Sequence, residues 1–560
     1  MGLFLLDYGA GNVQSLANSL EKLGHEFKWI SSPEDFDVAT SLVFPGVGAF
    51  QTAVEGLRSR GLFEPLRKYI ASGKPYFGIC IGMQVLFQSS SEGDAAGLGI
   101  IPTSIGLFSN EDKSVPHMGW NSVELLDSAH KSNEGIDQSA HYYFVHSYRA
   151  AYDPEHNPEA AQWVHSVAQY GQEVFVSSVR KGNVYGCQFH PEKSGPAGLR
   201  LLDAWLSEPE SQREHAPATP RISHPPKPTD GLTKRIVACM DVRSNDQGDL
   251  VVTKGDQYDV REKPSPTGNA VETAGAVRNL GKPVALAARY YTAGADELAL
   301  LNITSFRHSP LHDQPMLAVV RAAARTVFVP LTIGGGIRDT VDPDGTPRSA
   351  LEVAGAYFRA GADKVSIGSE AVYAVERMRA AGGRGDGTSA IETIAHAYGR
   401  QAVVVSIDPK RVYVDAGYDG PRKGEVVHGG EAGLEKDRGK AWWYQCTVSG
   451  GREARDLSVV ELAKGVEALG AGEILLNSID RDGTGLGFDL DLIRLVHRSV
   501  RIPVVASSGA GRAEHFTEVF RETGVEAALA AGIFHREEVG IDEVKQALAG
   551  AGIKTRRTAE

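Results

Sequence analysis

Cys80 stands in Gly78-Ile79-Cys80-Ile81-Gly82, directly after the apolar run Pro75-Tyr76-Phe77. A nucleophile flanked by glycines at the end of a strand fits a sharp strand-to-helix turn that pushes the side chain out at the mouth of a sheet. A helix that follows aims amide N–H groups at the thiol and favours thiolate. His190-Pro191-Glu192 comes later, after another strand-like run over 184–189. A nucleophilic cysteine needs a base, and the base needs an orienting carboxylate. Cys80, His190 and Glu192 thus supply the parts of a thiol-based acyl-transfer relay. Taken singly, a buried inert cysteine and a His-Pro-Glu turn are the plainer readings. Their order and matching strand contexts favour the relay.

A second set of chemical groups lies further on. Asp241 and Asp408 each end an apolar strand-like run, 236–241 and 403–408. Two carboxylates over one mouth suit general acid and general base on one substrate, with a loop-capping aspartate as the alternative. Glycine-rich strand ends come in matching pairs: Gly334-Gly335-Gly336 with Gly368-Ser369, and Ser507-Ser508-Gly509-Ala510-Gly511 with Ala531-Gly532. Such ends expose backbone N–H groups and hold phosphates. Two pairs predict two phosphate sites and a substrate with a phosphate at each end. Gly336, Gly368, Ser369, Ser508 and Gly509 are the candidate ligands. Lys254 sits in a long loop, where it could close over a phosphate or stay solvated. Asp480 and Asp482 follow another strand at the same mouth, and Asn477 lies near the end of that strand. One of the two aspartates could orient substrate or brace its loop.

The elements that must position these groups read as two units. Residues 1–207 alternate strand-like and helix-like segments. Residues 208–232 are rich in Pro, Ser, His and charge, cannot bury enough to order themselves, and read as a linker. Residues 233–560 carry an internal echo: Gly294-Ala295-Asp296-Glu297 resembles Gly470-Ala471-Gly472-Glu473, and Pro330 to Gly336 resembles Pro503 to Gly509. Two similar halves with about four strand–helix units each predict a (β/α)8 barrel made by duplication. Its strands are expected near 236–241, 298–303, 328–333, 364–368, 402–408, 473–479, 503–507 and 526–531, all nearly continuous apolar runs. The fold class is therefore α/β, with an α/β domain followed by a barrel of two half-barrels. Long connections over 243–273 and 410–455 could be lids or disordered insertions. Arg235, Glu297, Lys364 and Glu473 fall at strand starts, the end opposite the phosphate sites. Charges there usually face solvent, but two of each sign could close a salt-bridge ring that plugs or gates the barrel bottom.

The bulk numbers set limits. With 560 residues, the chain is too long for one ordinary domain. A net charge of −12 argues against nucleic-acid binding. The four cysteines are scattered with no CxxC pair, which argues against a zinc site or disulfide framework and fits a reducing compartment. No apolar run is long enough to span a membrane. The opening Gly2-Leu3-Phe4-Leu5-Leu6-Asp7 reads as a first strand, so a cytoplasmic location is expected.

Taken together, Asp7 to Asn12, Pro45-Gly46-Val47-Gly48, Pro116 to Asn121, Tyr143 to Ser147, Gln188 to Lys193 and Ser478 to Thr484 make the chain similar to the imidazole glycerol phosphate synthase family, in its single-chain fungal and plant form. The resemblance covers nearly everything except the linker. It implies that Cys80 attacks the glutamine side-chain amide with His190 as base and acid and Glu192 orienting it. It assigns Gly46 and Val47 to the oxyanion loop and Gln84 to the glutamine pocket. It implies that ammonia passes Arg235, Glu297, Lys364 and Glu473 and travels about 20 Å along the strands. At the mouth it would attack phosphoribulosyl-formimino-aminoimidazole-carboxamide ribonucleotide. Asp241 and Asp408 would move protons as imidazole glycerol phosphate and aminoimidazole carboxamide ribonucleotide form. Lys254, Gly336, Gly368, Ser369, Asn477, Asp482, Ser508 and Gly509 would bind this substrate. Lys193 would pair with Asp363 across the interface, with Trp120 at the same seam. The resemblance implies no metal or redox cofactor, a monomer carrying both activities, and barrel-ligand control of glutamine hydrolysis through the Gly46-Val47 peptide. Ser508 is a departure, because many relatives have glycine there. Rival readings are the glutaminase–barrel pairing of pyridoxal phosphate synthesis, a sugar-isomerase barrel, and a silent metabolite-binding scaffold.

Overall fold

The computed structural model describes residues 2–9, 11–46, 48–126, 135–208, 220–244, 250–253, 282–303, 311, 315–415, 417–430 and 434–556. Short apolar runs buried on both faces become the central strands of the first unit. Its eight-stranded sheet runs in the order Lys28–Ile30, Leu3–Leu6, Ser41–Phe44, Tyr76–Ile79, Val184–Cys187, Glu173–Lys181, Val164–Tyr170 and Glu124–Leu125. The first five are parallel and the rest antiparallel. Tyr76–Ile79 and Val184–Cys187 are neighbours, so the segments carrying Cys80 and His190 leave the sheet side by side. A separate antiparallel ribbon pairs His117–Asn121 with Tyr142–His146, placing His117 opposite His146 and Trp120 opposite Tyr143.

The second unit is a closed barrel of eight parallel strands: Arg235–Ser244, Glu297–Asn302, Leu331–Gly334, Lys364–Ile367, Val403–Ile407, Glu473–Leu476, Val504–Ala506 and Ala527–Ala530. The eighth pairs back with the first, Arg235 opposite Ala527. Each falls within or beside the segment expected from the sequence. Val237, Cys239, Ala299, Val404, Leu475, Val505, Ala527 and Leu529 form an apolar cluster distinct from the large core that includes the surrounding helices. Ser349, Ser389 and Ser458 start three of those helices with reciprocal caps to Glu352, Glu392 and Glu461, which satisfies free N–H groups at each N-terminus.

The stretch 410–455 is not a structureless insertion. Pro409–Val414, Val427–His428, Ala441–Val448 and Glu453–Ser458 form an antiparallel sheet. Its anchor is the buried Arg411, which pairs with Asp437 at 2.7 Å and Asp489 at 2.9 Å and lies over the Trp442 ring. In the other long connection, Leu250–Thr253 pairs with the end of the first barrel strand, and the remainder lies outside the described residues. Residues 220–232 run along the first unit. Lys227 exchanges two backbone hydrogen bonds of 2.8 Å with the Gln169 side chain, and Asp230 accepts from Gly171 N–H at 2.8 Å. This half of the connector borrows its order from the first unit, since its own apolar Ile222 is exposed.

The first unit docks across the barrel strand starts. Asp363 meets Lys193 at 2.8 Å and accepts from Asn12 Nδ2 at 2.9 Å. Trp120 Nε1 donates to Asp296 O at 3.0 Å. On another side of the seam, Ser114 Oγ donates to Glu526 at 2.8 Å and Val115 N–H to Arg501 O at 2.8 Å. Burial alone would raise the Glu526 carboxyl, but His497, Lys234 and the Val504 N–H outweigh it and hold it at about 2. The folded-state value is depressed, so its stabilisation is present above pH about 4.5 and lost as pH falls toward 2. A gap of that size corresponds to about 3 kcal/mol. Acid unfolding followed by tryptophan fluorescence should therefore show Glu526→Gln with a flatter pH dependence than wild type below pH about 4.5. Superimposable acid limbs would rule this out.

Candidate active site

The turn at Cys80 is tight enough to dictate its neighbours. Cys80 itself has φ 50°, in the left-handed region, and its N–H donates to Cys187 O at 2.7 Å. A Cβ on Gly78 would lie 2.2 Å from Gly82 O, and one on Gly82 would lie 2.2 Å from Phe44 O. A Cβ on Gly46 would lie 2.2 Å from Ile79 O and 2.3 Å from Ile81 N. The Gly46 loop is therefore pressed directly onto the nucleophile turn. Val47 lies outside the described residues. The helix after Cys80 is one turn only, Ile81–Gln84, so its dipole is smaller than a long helix would supply.

Side chains provide the rest. His190 Nδ1 is 2.8 Å from Glu192 Oε1, and both are buried. Glu192 thereby fixes the ring and leaves the other ring nitrogen to serve the thiol. Burial opposes charging His190, but Glu192 first and then Cys80 outweigh it and hold His190 well above its ordinary 6.5. Gln84 Nε2 donates to Gln188 Oε1 at 2.9 Å and to Tyr148 O at 3.2 Å. Gln188 Nε2 in turn donates to Cys80 Sγ at 3.3 Å. In the sequence Gln188 is marked only by its place in the motif Gln188 to Lys193.

At the other end, a cavity of about 590 Å³ occupies the barrel mouth. Asp241, Asp408, Gly336, Gly368, Ser369, Asn477, Asp482, Ser508 and Gly509 all line it, so these predicted residues converge. Lys254 lies outside the described residues. Burial raises Asp408 above the usual carboxylate range. Asn477 Nδ2, donating to Asp408 Oδ1 at 2.6 Å, works against that, and the charge of Asp482 adds to it. Asp480 is the loop brace of the two candidates: it accepts from Arg411 N–H at 2.9 Å, whereas Asp482 faces the cavity. Gly335 and Gly336 are left-handed at φ 92° and 77°, which turns the chain sharply at the rim. Ser508 is also left-handed at φ 73°, a conformation that glycine adopts at lower cost. A Cβ on its neighbour Gly509 would meet Gly487 O at 2.3 Å.

The charged strand starts do not face solvent. Glu297 bonds Arg235 at 2.8 Å and Lys364 at 2.7 Å, and Lys364 bonds Glu473 at 2.6 Å. Arg235 also pairs with Glu473 and closes the ring. All four side chains are buried because the first unit covers them. Burial alone would raise Glu297, but Lys364 and Arg235 hold it below its ordinary value. Met118 Sδ lies 3.4 Å from Lys364 Nζ. Tyr143 gives its backbone oxygen to His190 N–H at 2.9 Å, and its buried phenol feels the charges of Glu297, Arg235 and Glu473. One residue thus joins the relay to the core of the barrel. Trp120 is fully buried under the Arg556 guanidinium, 4.2 Å above the ring. Among the described residues, no cluster of His, Cys, Asp or Glu is arranged to hold a metal ion, and no helix is long and apolar enough to cross a membrane.

A Cys-His-Glu elbow docked on the floor of a half-barrel duplication defines a glutamine amidotransferase fused to a synthase barrel. Comparison with known proteins agrees. The family described as "Glutamine amidotransferase class-I" matches residues 4–207, and that described as "Histidine biosynthesis protein" matches 235–540. The chain is 52% identical to "Imidazole glycerol phosphate synthase hisHF" of Emericella nidulans over 99% of this chain and 98% of that protein. It is 53% identical to the protein of the same name from Schizosaccharomyces pombe, over 97% and 98%. The barrel half is 40% identical to "Imidazole glycerol phosphate synthase subunit HisF" of Methanopyrus kandleri, covering 58% of this chain and 99% of that one. The chain belongs to the imidazole glycerol phosphate synthase family, in the form that joins both activities in one polypeptide.

Proposed function

We propose that glutamine is hydrolysed at Cys80 and that the ammonia released crosses the barrel to the Asp241–Asp408 mouth. The Cys80 thiolate attacks the glutamine carboxamide, and the oxyanion is met by the Gly46-Val47 loop. His190 gives its proton to the departing ammonia and then takes one from the water that frees glutamate, while Glu192 stabilises the imidazolium. The observation that carries this reading is Tyr143, whose backbone oxygen accepts from His190 N–H while its side chain packs into the core shared with the barrel strands. Above the ring, the inward side chains from Val237 to Leu529 are apolar, which favours neutral ammonia over ammonium on the way to the mouth, and ammonium is no nucleophile.

At the mouth, ammonia adds to the ketose of phosphoribulosyl-formimino-aminoimidazole-carboxamide ribonucleotide. Asp241 and Asp408 exchange protons as the products imidazole glycerol phosphate and aminoimidazole carboxamide ribonucleotide form, a step of histidine biosynthesis. The glycine-rich ends at Gly336, Gly368 and Ser369 and at Ser508 and Gly509 hold the two phosphates, and Lys254 closes over one of them. Incubation with glutamine and this bisphosphate, followed by product analysis, tests the reaction. Absence of both products would reject it.

The ring acts as a gate, and Lys193, Asp363 and Trp120 hold the seam shut. Removing one partner of a buried pair costs about 3–5 kcal/mol. Glu297→Ala should therefore lower thermal stability and also raise the ratio of glutamate to imidazole glycerol phosphate above one, measured by paired product assays. A ratio unchanged in a folded variant would deny the gate. Barrel ligand should accelerate glutamine hydrolysis by reorienting the Gly46-Val47 peptide. Residues 1–207 form the glutaminase, 208–232 the linker and 233–560 the cyclase. A monomer in the cytoplasm suits a fused chain whose four cysteines are all free. Light scattering and cell fractionation check both points.

A further inference from the structure

We propose that Gln188 is a catalytic residue of the glutaminase site: its side-chain N–H donates to Cys80 Sγ and stabilises the thiolate, and Gln84 fixes which end of the Gln188 amide faces the sulfur. This rests on the reading of Cys80 as the nucleophile.

The polarity follows from fixed acceptors. Tyr148 O is a backbone carbonyl and can only accept, so the Gln84 atom facing it at 3.2 Å must be the nitrogen. That same nitrogen lies 2.9 Å from Gln188, so the Gln188 atom there must be the oxygen. The nitrogen of Gln188 is left facing Cys80 Sγ at 3.3 Å. Gln188 and Gln84 are both buried, so water does not compete for these positions.

Tyr148 O is itself held. His146 Nδ1 donates to it at 2.7 Å, which leaves Nε2 of His146 to accept from His117 Nδ1 at 3.1 Å. His117 Nε2 then accepts from Asn121 Nδ2, also at 3.1 Å, and Asn121 Nδ2 donates to Gln169 O at 2.9 Å. Ser122 N–H donates to Asn121 Oδ1 at 2.8 Å, so the Asn121 amide cannot be reversed either. The donors of the ribbon under the barrel therefore end on Tyr148 O, which also accepts from Gln84, and a second run of donors starts at Gln84, passes through Gln188 and ends on the nucleophile. Burial lowers His117 well below 6.5 and His146 to about 3, so both stay neutral and His146 Nδ1 remains the donor that holds Tyr148 O in place. The titratable groups facing Cys80 are His190, with Glu192 behind it, and Cys187 on the neighbouring strand. With only one helical turn after Cys80, a second donor beside His190 supplies what the short dipole does not.

The test is the pH dependence of Cys80 alkylation by iodoacetamide in the full chain, read by mass spectrometry of the Cys80 peptide. Gln188→Leu should move the midpoint up by about 1–2 pH units, the effect of losing one hydrogen bond to a charged group. Gln188→Glu should move it further, because a carboxylate then faces the sulfur. Gln84→Glu keeps Gln188 but presents an acceptor to it, so the amide reverses and the midpoint should also rise. Ammonia-driven cyclisation retained in each variant shows an intact chain. A wild-type midpoint in folded Gln188→Leu, or in Gln84→Glu should Gln188→Leu fail to fold, overturns the proposal. Glutamine-driven activity surviving in Cys80→Ala would instead overturn the underlying reading of the nucleophile.

Discussion

Cys80→Ala should lower glutamine-driven formation of imidazole glycerol phosphate by about 10⁴-fold or more, the scale set by removal of a nucleophile from a working relay. Ammonia-driven formation should persist at the wild-type rate. The separation follows from where the two chemistries sit. Cys80 ends a strand of the first unit, whereas Asp241 and Asp408 line a cavity at the far end of the barrel. The substitution removes only a sulfur from a side chain already almost fully enclosed, so the fold should tolerate it. Because the relay acts as a unit, Cys80→Ala combined with His190→Ala should be hardly worse than Cys80→Ala alone. Loss of both glutamine- and ammonia-driven activities in a folded Cys80→Ala chain would contradict two separable sites.

Asp408→Asn should produce the complementary pattern. Cyclisation falls by about 10²–10⁴-fold with either nitrogen source, the range for a lost general acid or base, while glutamine hydrolysis continues. Asp408 is suited to proton transfer because burial raises it, the Asn477 amide partly offsets this, and Asp482 adds a like charge nearby. The sign of a second variant follows. Asn477→Ala removes a hydrogen bond that favours the charged carboxylate, so Asp408 should rise further. If the ionised form is the working base, the acid limb of the ammonia-driven rate profile should move to higher pH. A limb that moves down, or Asp408→Asn with normal cyclisation, would remove Asp408 from the chemistry.

Much of this arrangement can be read from the chain itself. Parallel strands buried on both faces must be apolar runs, and those runs locate all eight barrel strands. Gly78, Gly82 and Gly46 stand where a Cβ would collide with backbone, so the elbow leaves a direct mark in residue type. The ring is harder to read. Arg235, Glu297, Lys364 and Glu473 are charges at strand starts, and only the covering first unit makes them buried. The sheet over 409–458 is hidden for another reason: its Gly-, Lys- and Asp-rich turns resemble loop sequence. The alternation of Trp442, Tyr444 and Cys446 on one face was the available signal. Gln188, Asn12 and Met118 were visible only as motif members. Their partners, Cys80, Asp363 and Lys364, lie on distant segments, and no local pattern encodes such meetings.

Coupling of the two sites requires amide nitrogen to reach the barrel mouth without mixing with the ammonia of the medium. The direct measurement supplies glutamine labelled with ¹⁵N at its side-chain amide, together with an excess of unlabelled ammonium, and reads the label in imidazole glycerol phosphate by mass spectrometry. Product nitrogen that stays almost wholly ¹⁵N is the predicted result. Label diluted in proportion to the ammonium in solution would contradict it.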